Sequence, residues 1–155
     1  MGVLASNGGE VTVRNAIINT SGGEAGGVNV GADGIVTIEN TSITTTNTTE
    51  GYGIFALYGG QAAMTGGSIT VNSTGVFARG AAAGAASTIE LTDVAIATKG
   101  ANQSIGLRSW EEGSQITMTG GSITTSGGNS WGALAHAGSG SAPGGTVTLN
   151  NSSIK

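Results

Sequence analysis

Cysteine is absent, so disulfides, thiolate chemistry and Cys-ligated zinc are excluded together, and the fold must rest on packing and backbone ladders. Charge is nearly as scarce: Asp, Glu, Lys and Arg make up 9% of the chain, against roughly 25% in ordinary domains. Solubility therefore falls to Thr, Ser, Asn and exposed backbone, the surface chemistry of an extracellular β-protein. With five Lys and Arg and a net charge of -4 there is no basic stripe to neutralise phosphates, and no nucleic-acid partner is expected on those grounds. No run of 18 apolar residues is present to span a bilayer as a helix. Met1-Gly2-Val3 opens without a basic segment followed by an apolar one, so no secretory signal is visible in this sequence.

What is abundant is glycine, 30 residues against a single proline, and it is distributed periodically. The triplets Val11-Thr12-Val13, Val36-Thr37-Ile38, Ala62-Ala63-Met64, Ile89-Glu90-Leu91, Ile116-Thr117-Met118 and Val147-Thr148-Leu149 align as inward, outward, inward. They recur at 25, 26, 27, 27 and 31 residues. Five residues after each comes an isoleucine: Ile18, Ile43, Ile69, Ile96, Ile123 and Ile154. Between triplet and isoleucine lie segments centred on Asn, Gly or Asp, residues that tolerate the left-handed backbone needed to bend one short strand into the next. A third strand is read at Gly27-Val28-Asn29-Val30, Gly53-Ile54-Phe55-Ala56, Gly75-Val76-Phe77-Ala78, Gly106-Leu107-Arg108-Ser109 and Gly132-Ala133-Leu134-Ala135.

Each interval thus holds three short strands, and one coil has too thin an apolar layer to be stable alone. Stacking turns every inward position into a ladder. The expected fold is all-β: a right-handed, single-stranded parallel β-helix of about six rungs, with coils of 25–31 residues spanning residues 1–155 as one solenoid segment. The chain begins in the third-strand pattern and ends within a second strand, in mid-coil and without visible caps, as expected of a section of a longer solenoid.

The phrases Gly66-Gly67-Ser68-Ile69-Thr70, Gly120-Gly121-Ser122-Ile123-Thr124 and Asn151-Ser152-Ser153-Ile154, with Tyr52-Gly53-Ile54-Phe55-Ala56 and Trp131-Gly132-Ala133-Leu134-Ala135, resemble the pertactin-like passenger domains of Gram-negative autotransporters. The specificity lies in their order: a Val-Thr-Leu-like strand, a Gly-Gly-Ser-Ile-Thr strand, then a Gly-Val-x-Ala strand. That resemblance implies a right-handed β-helix displayed outside the outer membrane and acting in adhesion, autoaggregation or biofilm formation. The expected role is structural display, adhesion, self-association or a stalk. A self-stacking, head-to-tail filament unit and a polysaccharide-binding or polysaccharide-processing β-helix are the alternatives.

Catalytic chemistry has little support in the residues, and no enzyme, cofactor or metal site is expected. His136 stands alone and is read as a solvated surface residue, and the carboxylates are scattered, the nearest pairs being Glu90 with Asp93 and Glu111 with Glu112. The third face is different. With Val28, Ile54, Val76, Leu107 and Ala133 inward, Leu4, Asn29, Phe55, Phe77, Arg108 and Leu134 point outward as an unusually apolar column, with Leu57, Arg79, Trp110 and His136 two residues further on. Leu4, Phe55, Phe77, Arg108, Leu134 and Trp110 are the candidate interface, for self-association or for a host-surface or polysaccharide ligand.

Overall fold

In the computed structural model, which describes residues 1–138 and 143–155, the chain coils as a parallel β-solenoid of about five turns with no helix. Six triplets bound five intervals, which is why the count is about five turns where six rungs were expected. In chain order the strands are β1 (Val3–Ala5), β2 (Glu10–Arg14), β3 (Ile17–Val30), β4 (Ile35–Ala56), β5 (Gln61–Ser73), β6 (Phe77–Ala83), β7 (Thr88–Thr92), β8 (Ala95–Lys99), β9 (Gln103–Trp110), β10 (Gln115–Thr119), β11 (Ser122–Ser126), β12 (Asn129–His136), β13 (Thr146–Asn150) and β14 (Ser153–Ile154). The strands are longer than the three short pieces per coil read from the sequence. β3 and β4 run on around the corner between the second and third faces, because inter-rung pairing persists there, with Thr20, Ser21 and Gly22 in register with Thr45, Thr46 and Asn47.

The first face is β2, residues 35–39 of β4, residues 61–65 of β5, β7, β10 and β13. Its register stacks Val11, Val36, Ala62, Ile89, Ile116 and Val147, and beside them Val13, Ile38, Met64, Leu91, Met118 and Leu149. The second face stacks the six isoleucines from Ile18 to Ile154. Both follow the sequence reading. On the middle rungs these side chains are buried, while at the last rung Leu149 and Ile154 are 36% and 49% exposed. Between the two faces a left-handed residue occurs in every turn: Asn15, Asn40, Gly66, Asp93, Gly120 and Asn151, with φ from 46° to 69°. Asn and Asp reach this region because a short polar side chain bonds locally, and glycine because it has no Cβ.

The third face corrects one rung. Ile54 is in register with Ala81, and Ala81 with Leu107, so the inward ladder is Val28, Ile54, Ala81, Leu107 and Ala133. Val76 is 43% exposed and lies outside it. The physical reason is a column of glycines at Gly2, Gly27, Gly53, Gly80, Gly106 and Gly132. A Cβ at any of them would come within 3.0 Å of Cγ2 of Ile18, Ile43, Ile69, Ile96, Ile123 and Ile154 respectively. The third strand crosses each isoleucine so closely that only glycine fits. Gly80 sits over Ile96, and Gly75, whose Cβ would strike the backbone of Thr48, does not.

Candidate functional site

All six aromatic residues of the chain lie on the third face or at its exit corner. Tyr52 and Phe55 are on β4, Tyr58 follows it, and Phe77, Trp110 and Trp131 are on β6, β9 and β12. The first and second faces present instead interrupted threonine columns: Thr12, Thr37, Ala63, Glu90, Thr117 and Thr148 on one, Asn19, Thr44, Thr70, Ala97 and Thr124 on the other. A β-strand displays alternate residues on its outer surface, so one face of a solenoid acquires its chemistry column by column.

Leu4, Phe55, Arg108 and Leu134 do share a column, in the order Leu4, Asn29, Phe55, Ala82, Arg108, Leu134. Trp110 stands two residues beyond Arg108, beside His136 in the next rung. Phe77 does not belong to that column: it pairs in register with Glu50 and Gln103. Arg79 moves as well, out of the column of Trp110 and His136 and into one with Gly26, Tyr52 and Ile105. Both displacements follow from the choice of Gly80 over Gly75. The position Arg79 vacates beside Trp110 is Gly84, where a Cβ would strike the indole ring.

The corrected columns assemble a compact polar-aromatic cluster. The Arg79 guanidinium carbon lies 4.6 Å from the Phe77 ring centroid and 5.1 Å from that of Tyr52. Its Nη1 donates to Tyr52 Oη at 2.5 Å and to Glu50 Oε2 at 3.3 Å, while the Tyr52 hydroxyl donates to the same Oε2 at 2.9 Å. Arg79 is only 5% exposed and its Nε has no hydrogen-bond partner among the described residues. A guanidinium with two aromatic neighbours and one carboxylate is a stiff strut, since stacking and ion pairing fix the same plane. Burial pushes the Tyr52 phenol up to about 12; the positive charge of Arg79 opposes this, and the charge and hydrogen bond of Glu50 add to it.

Rings continue the cluster along the rod. Tyr52 and Phe55 have centroids 4.3 Å apart, and Phe55 and Trp110 lie nearly parallel at 6.0 Å. Arg108 stands 4.8 Å over Trp110, and its Nε donates to His136 Nε2 at 3.2 Å. The His136 proton is thereby placed on Nδ1, which donates to the Ala137 carbonyl at 2.5 Å. His136 is thus a half-buried acceptor for Arg108 rather than a freely solvated ring. Burial, and then the like charge of Arg79, lowers the pKa of Arg108 from the ordinary arginine value. Beneath these side chains Ala82 and Ile105 are buried at 0% and 2%, although they stand in the outward columns and outside the interior core.

Two adjoining grooves open on this surface. One is lined by Glu24, Asn29, Glu50, Tyr52 and Phe55, with the Met1 thioether against the Asn29 amide; the other by Leu4, Asn29, Phe55, Leu57 and Tyr58. Phe55 and Asn29 belong to both. The other acidic pairs lie elsewhere: Glu90 is on the first face, Asp93 in the turn column, and Glu111 accepts from the Ala85 N–H at the third corner. Tyr52, Arg79 and Trp131 were absent from the sequence-based site, yet each immediately precedes a ladder glycine, a position legible once those glycines are registered. No family model, no curated protein and no solved structure matches the chain.

Proposed function

We propose that this chain is a stretch of a surface-displayed solenoid of the pertactin-like passenger kind, non-enzymatic, whose work is structural display and adhesion through its third face. The observation that carries this reading is the gathering of all six aromatics on one of three faces and its exit corner, with two guanidiniums packed among them. Aromatic and arginine side chains concentrated on a rigid, partly exposed surface are the composition of contact surfaces, because they bring large area at low conformational cost. The rest of the rod is what a carrier needs. Its Thr, Ser and Asn columns satisfy water without charge, and its absence of cysteine makes folding independent of redox state.

The test uses beads coated with the purified chain, scored for clustering by light scattering and for retention on bacterial and epithelial cell layers. The wild-type coat should hold beads to one another or to cells. Phe55→Ser with Trp110→Ser should abolish that retention while far-UV circular dichroism stays unchanged. Phe77 is left alone because it supports Arg79. Retention of the double variant at wild-type level would remove the third face from the adhesive role.

A further inference from the structure

We infer that the third-face groove binds an uncharged, hexose-built glycan, with the sugar seated among Glu24, Asn29, Glu50, Tyr52 and Phe55; this inference rests on the adhesive reading above and names its ligand class. Ring walls come first. Tyr52 and Phe55 meet at 4.3 Å and tilt by 33°, giving a bent apolar wall of the kind on which the C–H face of a pyranose packs. A purely apolar occupant is disfavoured by what completes the lining: two carboxylates and an amide.

Those polar groups are arranged for hydroxyls. Arg79 and Tyr52 both bond to Oε2 of Glu50, while among the described residues its Oε1 has no donor and Glu24, in register one rung away, has no ion-pair partner. A sugar hydroxyl both donates and accepts, so hydroxyls at separate positions of one sugar chain satisfy a carboxylate oxygen and the Asn29 amide. A groove built from a few fixed polar groups and ring faces is the general form of a small-ligand site.

The charge pattern selects against ionic ligands. Glu24 is the uncompensated charge that lines the groove, Glu50 being paired with Arg79, so a polyanion such as an acidic polysaccharide is repelled at that end. Arg79, which would attract one, is 5% exposed and committed to Glu50. A cationic segment is offered only Glu24, because Glu50 is already paired with that same arginine. Rigidity favours a weakly bound, directional ligand too: the strut of Phe77, Arg79 and Tyr52 holds the ring wall and the carboxylate in place before binding, which reduces the ordering cost.

Affinity electrophoresis of the full chain tests this, in native gels containing a neutral β-glucan, galactomannan or mannan, with polygalacturonate as the acidic comparison. A lysine-rich peptide is titrated in parallel, followed by tryptophan fluorescence. At least one neutral polymer should retard the chain. Phe55→Ala and Tyr52→Ala, each folded by circular dichroism, should weaken retardation by about tenfold or more. Glu50→Gln, which keeps the shape and removes the charge, should weaken it less. Retardation by no neutral polymer, by polygalacturonate alone, or equally in Phe55→Ala overturns the inference, as does saturable binding of the peptide alone. If the Phe55→Ser, Trp110→Ser coat loses adhesion while no neutral polymer retards the chain, the adhesive face stands and only its glycan ligand falls.

Discussion

Tyr52 holds the most strongly perturbed proton of the third face, and its environment makes a statement about stability. The phenol is held at about 12 in the folded chain, chiefly by burial, against an ordinary value of 10.0. Below the ordinary value both states carry the proton, so its contribution to stability is fully present there and does not vary with pH. Above that value the unfolded chain releases its proton first, so stability falls with rising pH until the folded phenol ionises as well. The expected outcome is a drop in urea midpoint from about pH 10 to about pH 12 that Tyr52→Phe flattens, at the cost of a lower midpoint at pH 7 because Glu50 and Arg79 each lose a hydrogen bond. Identical pH profiles for the two proteins would mean that Tyr52 ionises freely. Asn47 is the comparable residue inside the rod. With its amide nitrogen donating to the Asn72 carbonyl at 3.2 Å and its oxygen accepting from Ser73 Oγ at 2.8 Å and the Gly51 N–H at 2.9 Å, it satisfies the buried corner between the second and third faces.

At the level of strands and turns, the glycine column is the element that sets register. Gly53→Ala places a methyl against Ile69 Cγ2 and the Gly80 carbonyl and should destabilise the chain by about 3 kcal/mol, whereas Gly26→Ala, with open space around its Cβ, should change little. Equal urea midpoints for the two variants would show that the strand relaxes away from the isoleucine. This column also explains what was legible in the sequence. The first and second faces could be read because their inward residues are β-branched or large and their turns carry Asn, Asp or Gly in every copy. The third strand of the middle coil could not be read from hydrophobicity, because Val76-Phe77-Ala78 is more apolar than Ala81-Ala82-Ala83, the segment that is buried. Spacing would have decided it. Sixteen residues separate Gly2 from Ile18, Gly27 from Ile43, Gly53 from Ile69 and Gly80 from Ile96, whereas Gly75 is twenty-one from Ile96. The same slip hid the cluster, since the stacking of Arg79 on Tyr52 exists only in the correct register, and a buried guanidinium on an outer face has no signature in local composition.

For the whole molecule, stability is a sum over rungs and the contacts between them. Removing residues 81–106 joins Gly80 to Leu107, which already occupies the equivalent place one rung on, and brings Ile69 against Ile123 and Met64 against Met118. The shortened chain should keep the β-sheet circular dichroism spectrum and unfold cooperatively at a lower temperature. A deletion of residues 81–103, which breaks the phase, should not unfold cooperatively. If both deletions behave alike, the columns do not determine register. The length of each repeat is unevenly constrained. The stretch from glycine to isoleucine is constant over the first four coils, while the stretch from isoleucine to the next glycine varies from nine residues, as between Ile18 and Gly27, to eleven between Ile69 and Gly80. Over those four coils slack is therefore stored at one edge of the prism, the one that borders the groove, while Gly106 to Ile123 and Gly132 to Ile154 lengthen the other stretch to 17 and 22 residues. A lineage of such rods can lengthen, shorten or decorate that edge coil by coil, and graft new surface beside the binding face, without any ladder in the interior losing step.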